Sequence, residues 1–302
     1  MPSGGPLDGL PDDYVVTSQA FTKKTYRDLY PAIDPSDAAL SQAGRVVIVT
    51  GASRGIGKQG FVRSFAVAGA KAIVLVARSL DRLKEAAEEL GREFPSTKFL
   101  PLGCDIQDEA SVKLLFKQIQ DNFGTADVLV NNAGAFGEHE QIRSASIQRF
   151  WNDVEINLKG SLLVVQGFLN LVGESKEATI VNVSSAMGHV VMPGSASYCL
   201  SKLAMTQLSR FIALENPNVR AISFHPGTVL TDITADWLKP FSKDTPELAG
   251  GCAVWLTTKD AGFLNGRYVS ANWSVEELLS RSSEITAGGK LHIDLVGEIV
   301  PQ

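Results

Sequence analysis

Tyr198 and Lys202 are the two residues of this chain whose types and spacing most directly suggest chemistry. They lie four positions apart, and a serine pair, Ser184-Ser185, precedes them. Residues i and i+4 share one face of a helix, and a positive charge beside a phenol lowers the phenol's pKa from about 10. The pair therefore predicts a proton donor and acceptor that works below the usual tyrosine pKa. The same spacing is also common on ordinary helices, so other motifs must support this interpretation.

A glycine-rich loop near residue 50 predicts a dinucleotide site. The segment 50–57 has the spacing G-x-x-x-G-x-G and lies between a predicted strand and a predicted helix. Glycines let the backbone approach a pyrophosphate, and the amides at a helix N-terminus attract its charge. A simple glycine-rich turn is the alternative. The residues expected to bind the cofactor here are Gly51, Ser53, Arg54, Gly55, Ile56 and Gly57.

Two arginines favour NADP(H) over NAD(H). An NAD-specific site places Asp or Glu at the end of the second strand, where it binds the ribose hydroxyls. In this chain that strand ends with Arg78 in place of a carboxylate, and Arg54 lies inside the glycine loop. Two guanidinium groups suit a 2′-phosphate, because both can make charge-assisted hydrogen bonds to it. The alternative is that one or both arginines are merely solvated.

Strands and helices alternate from Arg45 onward. Continuous β-branched runs are typical of strands buried on both faces, and their alternation with helices predicts a parallel sheet. We expect a single α/β domain with a Rossmann-type doubly wound sheet of about seven strands, helices on both faces, and a ligand beyond the carboxyl ends of the strands. The predicted strands are 46–49, 72–76, 98–104, 127–130, 179–183, 219–224 and 266–270, and the predicted helices are 55–70, 80–90, 108–123, 146–172, 197–216 and 245–258.

The two ends of the chain differ from this regular part. Residues 1–44 are rich in Pro, Asp, Ser and Gly but carry scattered aromatic residues, so an arm is expected to pack on the body from about Phe21 to Ile33. A disordered tail is the alternative. The body is expected to span 45–272, with a substrate lid at about 228–245, and 273–302 is expected to be a C-terminal extension.

Composition argues against several function classes. The 302 residues carry a net charge of −5 without a basic stripe, so nucleic acid is not an expected partner. No apolar run reaches about 18 residues, so no membrane span is expected, and the first residues lack the pattern of a secretory signal. Cys104, Cys199 and Cys252 have no metal or disulfide spacing. The expectation is a cytoplasmic protein without a catalytic metal.

Several motifs fall in order over 45–270, and together they resemble the short-chain dehydrogenase/reductase superfamily. They are the TGxxxGxG loop at 50–57, the Asn-Asn-Ala-Gly motif at 131–134, the Tyr-x-x-x-Lys pair, and Ser185 13 residues before Tyr198. The extended ends resemble those of some fungal members. The further cofactor-binding residues that the resemblance implies are Asp105, Ile106, Asn132, Ala133, Gly134, Tyr198, Lys202, Pro226, Gly227, Val229 and Thr231.

The resemblance implies an NADP(H)-dependent oxidoreductase that interconverts a secondary alcohol and its ketone by hydride transfer. Tyr198 would exchange a proton with the substrate oxygen, and Lys202 would lower the tyrosine pKa and bind the nicotinamide ribose. Ser185 would polarise the carbonyl, with Ser184 as the alternative serine. Asn157 matches the helix asparagine of the family's catalytic tetrad and would hold a water that links the lysine to solvent.

Three other polar residues near these motifs have mainly structural interpretations. Asn131 is expected to clasp neighbouring strands rather than to bind the cofactor. His189 follows the serine motif and could face substrate, although a surface position is commoner. His225 is expected to end the sixth strand, and a second general acid is not expected beside Tyr198.

The loops that set specificity in the family are largely apolar in this chain. They cover 135–137, 187–192 and 233–241, so a hydrophobic alcohol or ketone is expected rather than a sugar or an acid. By the same resemblance, the helices 146–172 and 197–216 would form a homodimer, or a homotetramer if the last strand also pairs. Their apolar candidates for such a contact are Leu162, Leu163, Val164, Val165, Leu203, Met205, Leu208 and Phe211.

Two other function classes remain open. The same scaffold could carry an isomerase, epimerase or cyclase that retains the cofactor, because a fold does not determine a function. It could also be a cofactor-binding module without turnover. An intact Ser185, Tyr198 and Lys202 argues against the binding module, since binding alone needs no proton relay, but argues only weakly against the isomerase.

Overall fold

A seven-stranded parallel sheet forms the centre of the molecule. The computed structural model describes residues 7–137 and 140–295, so residues 1–6 and 296–302 of the predicted extensions lie outside it. The strands are β1 (Val46–Thr50), β2 (Ala72–Ala77), β3 (Lys98–Gly103), β4 (Val128–Asn131), β5 (Ala178–Val183), β6 (Val219–His225) and β7 (Tyr268–Ser270). They lie in the order β3-β2-β1-β4-β5-β6-β7. The predicted Rossmann-type doubly wound sheet is confirmed.

Helices lie on both faces of the sheet. They are α1 (Tyr14–Thr17), α2 (Arg63–Val67), α3 (Leu80–Glu93), α4 (Glu109–Phe123), α5 (Ile147–Val154), α6 (Ser161–Val172), α7 (Ala196–Glu215), α8 (Pro246–Leu256), α9 (Val275–Ser280) and α10 (Ser282–Ala287). The Asp108 side chain accepts hydrogen bonds from the amides of Ala110 and Ser111, so Asp108 is the N-cap of α4. Among the residues described, no helix combines the length and the apolar character needed to cross a membrane.

Two of the predicted helices contain π-helical segments. Gly57–Val62 precedes α2, and Glu155–Gly160 joins α5 to α6. The uninterrupted α-helices predicted at 55–70 and 146–172 are therefore wrong in this respect. Such segments often lie at functional sites, and both of these border the site described below. The helix predicted at 80–90 continues through Gly91 to Glu93, because a helical glycine costs only about 1 kcal/mol and the preceding Leu90 is fully buried.

Alternate side chains of the strands enter two core layers. Val47 and Val49 pack in the layer that contains Phe61 and Phe65, whereas Ile48 packs in the layer that contains Phe168. Both faces of the sheet are therefore closed, and a ligand can approach only at the strand ends. Three of the apolar residues predicted at a helix interface instead belong to the protein interior, so they are unavailable to a partner: Val164, Val165 and Met205.

The described part of the N-terminal extension packs against the body and the C-terminal extension. Ile33 is fully buried, and a Cβ on Gly251 of α8 would lie 2.4 Å from the Ile33 carbonyl oxygen. The Tyr30 hydroxyl donates to the Trp273 carbonyl at 3.2 Å and accepts from the Val275 amide at 3.0 Å. These contacts fix residues near position 30 beside the start of α9.

Candidate active site

A groove of about 310 Å³ runs across the carboxyl ends of β1 to β4. This is the edge at which ligands bind in open α/β sheets. The loops that follow these four strands supply most of its walls, and Ile156 and residues 231–233 also contribute. Most of the predicted cofactor residues lie there, namely Gly51, Ser53, Arg54, Gly55, Ile56, Gly57, Arg78, Asp105, Ile106, Asn132, Ala133, Gly134 and Thr231.

The glycine loop forms a narrow backbone cradle in this groove. Gly51 and Gly55 have positive φ angles of +70° and +55°, a region that side chains other than glycine rarely adopt. A Cβ on Gly57 would lie 2.1 Å from the Gly51 carbonyl oxygen, so only glycine fits. The cradle leaves backbone groups accessible at the start of a helical segment, which is the arrangement that a pyrophosphate requires. The residues present therefore fit a dinucleotide.

The two asparagines of the Asn-Asn-Ala-Gly motif hold this cradle and the sheet together. The Asn132 side-chain amide donates to the Thr50 carbonyl at 2.8 Å, and the Thr50 hydroxyl accepts from the Asn132 and Ala133 amides at 2.9 Å each. The Asn131 side chain donates to Asn182 Oδ1 at 3.1 Å, across the β4–β5 pair. The predicted clasp by Asn131 is confirmed, and Asn132 fixes the glycine loop through its side chain.

Three arginines line the end of the groove nearest β2. Arg78 is exposed and makes no ion pair within 7–137 and 140–295. Arg54 is paired with Asp232 at 2.5 Å, and both side chains are largely exposed. Arg82, in the first turn of α3, also lines the groove. Sequence analysis missed this residue, although a second basic residue four positions after Arg78 was a usable signal.

Ser185 and Tyr198 lie beside each other in the site. Ser185 follows β5 by two positions, and its Oγ also accepts from the Met187 amide at 3.1 Å. Burial raises the pKa of Tyr198 to about 12, and the hydrogen bond from Ser185 partly opposes this rise. The neighbouring Ser184 instead donates to the Lys202 carbonyl at 2.9 Å. Of the serine pair, Ser185 is therefore the one in contact with the phenol.

Lys202 lies near the Tyr198 ring. Its Nζ lies 5.7 Å from the centre of the Tyr198 ring and donates to the Val183 carbonyl at 2.8 Å. Burial lowers the pKa of the ammonium group to about 8. Burial is the largest contribution to the pKa of Tyr198 and raises it, and the expectation that Lys202 lowers this pKa stays a prediction. A Cβ on Gly134 would lie 3.5 Å from Nζ, so the lysine faces the floor of the groove.

Asn157 is fully buried in the second π-helical segment. Its Oδ1 accepts from the Ala135 amide at 2.8 Å, and its Nδ2 donates to the Ala135 carbonyl at 2.9 Å. Nδ2 also donates to Ser201 Oγ, at 3.1 Å, on α7. Asn157 thus connects the loop after β4 with the helix that carries Tyr198 and Lys202.

A second and larger cavity, of about 720 Å³, adjoins the groove. Ile56, Thr231 and Ile233 line both, so the two spaces share a wall. Ser185 and Tyr198 lie on the larger cavity, and Phe136 packs edge-on to the tyrosine with ring centres 4.7 Å apart. The predicted cofactor residues of the segment after β6 line this cavity rather than the groove, and they are Pro226, Gly227 and Val229.

Two of the histidines near the site differ in position. His189 is exposed, packs edge-on to Tyr268 at 4.7 Å, and is not among the residues that line the cavity. His225 lines the cavity, and burial lowers its pKa to about 3, so it is neutral at physiological pH. Within the described ranges, no cluster of His, Cys, Asp and Glu has the arrangement of a metal site.

Comparison with known proteins assigns the chain to a family. The family model described as short chain dehydrogenase matches residues 45–240. The chain belongs to the short chain dehydrogenase family. Members of this family are oxidoreductases that use nicotinamide cofactors, which agrees with a dinucleotide cradle beside a serine and a tyrosine.

Fungal short chain dehydrogenases resemble this chain beyond the matched core. The short chain dehydrogenase mpl6 of Monascus purpureus is 39% identical over 289 residues, which cover 92% of this chain and 98% of that protein. The short chain dehydrogenase pigC of Monascus ruber is 37% identical over 309 residues, covering 98% of this chain and 99% of its own length. The resemblance to extended fungal members is thereby confirmed.

Solved structures of short chain dehydrogenases share the fold. A short-chain type dehydrogenase/reductase from Mycobacterium marinum superposes with a TM-score of 0.69 at 25% identity, covering 77% of this chain and 95% of that one. An alcohol dehydrogenase from Thermococcus sibiricus, solved in complex with 5-hydroxy-NADP, has a TM-score of 0.63 at 29% identity and covers 70% of this chain and 89% of its own.

Proposed function

We propose that this short chain dehydrogenase is an NADP(H)-dependent oxidoreductase that interconverts a hydrophobic secondary alcohol and its ketone. One observation carries the proposal: the dinucleotide groove and the larger cavity share a wall, and Ser185 and Tyr198 both line the cavity. A carbonyl in the cavity would therefore meet a proton donor and the reactive end of a cofactor at the same place.

The choice of NADP(H) rests on the arginines. Arg78 and Arg82 flank the groove end that follows β2, where an NAD site would carry a carboxylate. Arg54 is held by Asp232 and is less free to bind a phosphate. The alcohol dehydrogenase of Thermococcus sibiricus, which is 29% identical, was solved with an NADP analogue. When bound, the cofactor supplies or accepts the hydride, and the residues of the groove would hold it.

The protein groups handle the proton. With a pKa of about 12, Tyr198 is a protonated phenol at neutral pH and can donate to the carbonyl oxygen during reduction. The Ser185 hydroxyl, two positions after β5, would hydrogen-bond the same oxygen. A protonated Lys202, 5.7 Å from the ring, would favour the phenolate left after transfer. Asn157 holds the loop and the helix that set these positions.

A hydrophobic substrate fits the larger cavity. Its side chains are mostly apolar, and the polar Ser185 and Tyr198 lie together on its wall. Pockets of this kind bury an apolar ligand body and orient it by a few polar groups. Trp237 and Leu238 of the lid also line this cavity, whereas no charged side chain of the described residues does.

We further propose that the chain forms a homodimer through α6 and α7. Leu162 on α6 and Phe211 on α7 are 45% and 52% exposed, and Leu200 and Leu214 add to this apolar surface. A tetramer through the last strand is less favoured, because the Tyr268 amide on the edge strand β7 already donates to the Leu291 carbonyl at 2.9 Å. Sedimentation analysis should give a dimer, and Phe211→Glu should give a monomer.

The proposed activity is tested by following NADPH absorbance with a panel of ketones of increasing apolar size. Consumption of NADPH that depends on the ketone, and yields the alcohol, supports the oxidoreductase. An isomerase or cyclase on the same scaffold would convert its substrate without net loss of NADPH. A binding module would bind NADPH and convert nothing. Parallel assays with NADH give the cofactor preference directly.

A further inference from the structure

The N-terminal extension forms one wall of the cavity that also contains Ser185 and Tyr198. Leu7, Leu10, Tyr14 and Val15 line this cavity, together with the apolar residues of the lid. The next residue, Val16, is only 5% exposed, so α1 is seated on the protein. The family match covers residues 45–240 and does not include this segment.

A second set of contacts anchors the extension just beyond this wall. The Lys23 and Lys24 amides both donate to the Glu277 carboxylate at 2.8 Å, and the Trp273 indole donates to the Gln19 carbonyl at 3.0 Å. The Arg281 guanidinium lies 3.8 Å from the centre of the Phe21 ring. Because these contacts flank residue 20, the segment 7–19 is held at a fixed place on the cavity.

Arg27 connects the extension to the lid. Its Nε donates to Asp244 Oδ1 at 2.6 Å, and its Nη2 donates to the Phe241 carbonyl at 2.6 Å. The other carboxylate oxygen of Asp244 accepts from the Thr228 amide at 2.5 Å. The Asp244 side chain is fully buried, so this ion pair is shielded from solvent on the lid side. Asp12 and Lys243 form a further ion pair between the two segments.

We propose that residues 7–19 are a specificity-determining part of the substrate site, and that Arg27 is the positioning residue that fixes them against the lid. The inference rests on the proposed function in one respect, because it assigns the substrate to this cavity. The cavity has a volume of about 720 Å³, and its lining includes both this apolar wall and Tyr198, the proposed proton donor. Such a cavity fits a carbonyl compound whose body contains at least two fused rings. Small ketones would reach Tyr198 without touching the extension.

The role of residues 7–19 is tested by ligand binding to a variant of the enzyme that cannot catalyse the reaction. In the Tyr198→Phe enzyme saturated with NADP, the dissociation constant of 2-acetylnaphthalene is measured by calorimetry. Adding Tyr14→Ala should weaken its binding by about 10-fold, since large aromatic contacts dominate apolar recognition. Cyclohexanone binding and NADP binding should change by less than about 2-fold, since neither ligand reaches the wall. Thr17→Ala is the matched control, because Thr17 is an exposed residue of the same helix that does not line the cavity.

Equal affinity for 2-acetylnaphthalene with and without the Tyr14→Ala substitution would overturn the inference, and so would no binding of 2-acetylnaphthalene by the parent enzyme. Neither result touches the proposed function if the wild type still reduces cyclohexanone with NADPH. Conversely, the binding of 2-acetylnaphthalene could depend on Tyr14 while the wild type consumes no NADPH with any ketone. That result would support the role of residues 7–19 and would refute the proposed oxidoreductase activity.

The positioning role of Arg27 is tested by hydrogen exchange. Arg27→Ala should speed amide exchange in both 7–19 and 228–245, because the same guanidinium contacts both segments. It should raise the KM for 2-acetylnaphthalene several-fold and leave the kcat for cyclohexanone within about 2-fold, since the small ketone does not use the wall. Arg27→Lys should recover part of the loss, since it keeps the charge pair. Arg63→Ala removes a guanidinium of similar exposure whose ion-pair partners, Glu89 and Glu93, lie in neither segment, and it should change none of these. Unchanged exchange in the lid of Arg27→Ala would contradict the role.

Discussion

The proposed cofactor groove and the proposed substrate cavity are built on different principles. The groove is formed mainly by loops that each follow directly on one of four neighbouring strands, so the sheet places most of its residues, although residues 231–233 of the lid also line it. The cavity is enclosed by segments that are far apart in sequence, including residues 7–19 and the lid at 228–238. The first region is a property of the fold, whereas the second depends on long-range contacts that belong to this chain.

Tyr198→Phe gives the largest expected effect, because Tyr198 lies where the two regions meet. Removal of the hydroxyl removes the proton donor and should lower kcat by about 100-fold to 10,000-fold. The dissociation constants of NADPH and of an apolar ketone should stay within a few-fold, since neither region loses its walls. Steady-state kinetics and fluorescence titration measure the two effects. Tyr26→Phe is the control, because Tyr26 lies in the N-terminal extension and lines neither region. If Tyr198→Phe retained full activity, Tyr198 would have no role in the mechanism.

Gly57→Ala should disturb the glycine loop of the groove and leave the larger cavity intact. The new methyl group would lie 2.1 Å from the Gly51 carbonyl oxygen, so the loop must move. A displacement of this size should weaken NADPH binding by roughly 100-fold, while binding of an apolar ketone to the cavity should change much less. Gly91→Ala is the matched control, because a Cβ there meets open space on α3, and it should stabilise the protein by about 0.5–1 kcal/mol. Unaltered NADPH affinity in Gly57→Ala would contradict the assigned cradle.

Lys202 should give the protein a pH-dependent stability that Lys202→Met lacks. Burial lowers the lysine's pKa in the folded protein to about 8, below the ordinary 10.5, so the unfolded chain binds the proton more tightly. The free energy of unfolding of the wild type should therefore rise between about pH 8 and pH 10.5, by roughly 3 kcal/mol relative to Lys202→Met. Below about pH 8 that relative gain is absent. Urea unfolding at a series of pH values measures the difference. If the free energies of unfolding of the two proteins changed in the same way with pH, Lys202 would not be a buried group with a lowered pKa.

Arg78→Asp should change cofactor preference and leave the cavity intact. Loss of a charge-assisted hydrogen bond, and repulsion of the 2′-phosphate, should reduce the NADP-to-NAD ratio of kcat/KM by about 10-fold to 100-fold. Arg92→Asp is the control, because Arg92 lies near the end of α3, the helix that follows Arg78, and does not line the groove. A ratio that is the same in Arg78→Asp and the wild type would place the 2′-phosphate elsewhere.

The sheet and the groove were largely predictable from the sequence, because both follow from local patterns. Continuous apolar runs indicated the strands, and the glycine spacing between β1 and the next helix indicated the cradle. The π-helical segment around Asn157 left no such pattern, since one added residue barely alters a helical hydrophobic period. It is nevertheless the segment from which Asn157 reaches the loop after β4.

Properties that depend on distant partners could not be predicted from the sequence. Arg54 pairs with Asp232, which is 178 positions away, so no local pattern showed its lower availability for a phosphate. The raised pKa of Tyr198 arises from burial in the folded site, whereas the sequence shows only that Lys202 is near. The wall made by Leu10 and Tyr14 likewise depends on tertiary packing that no spacing rule describes.

The central claim is that hydride passes between a cofactor in the groove and a carbonyl carbon in the adjoining cavity. The most direct test is incubation of the protein with NADPH that carries deuterium at both C4 positions, together with 2-acetylnaphthalene, followed by mass spectrometry and NMR of the product. The account predicts an alcohol with one deuterium, on the carbinol carbon, and none of this product with Tyr198→Phe beyond a trace. An alcohol whose carbinol hydrogen comes from solvent, or a converted substrate with no oxidised cofactor, would contradict it.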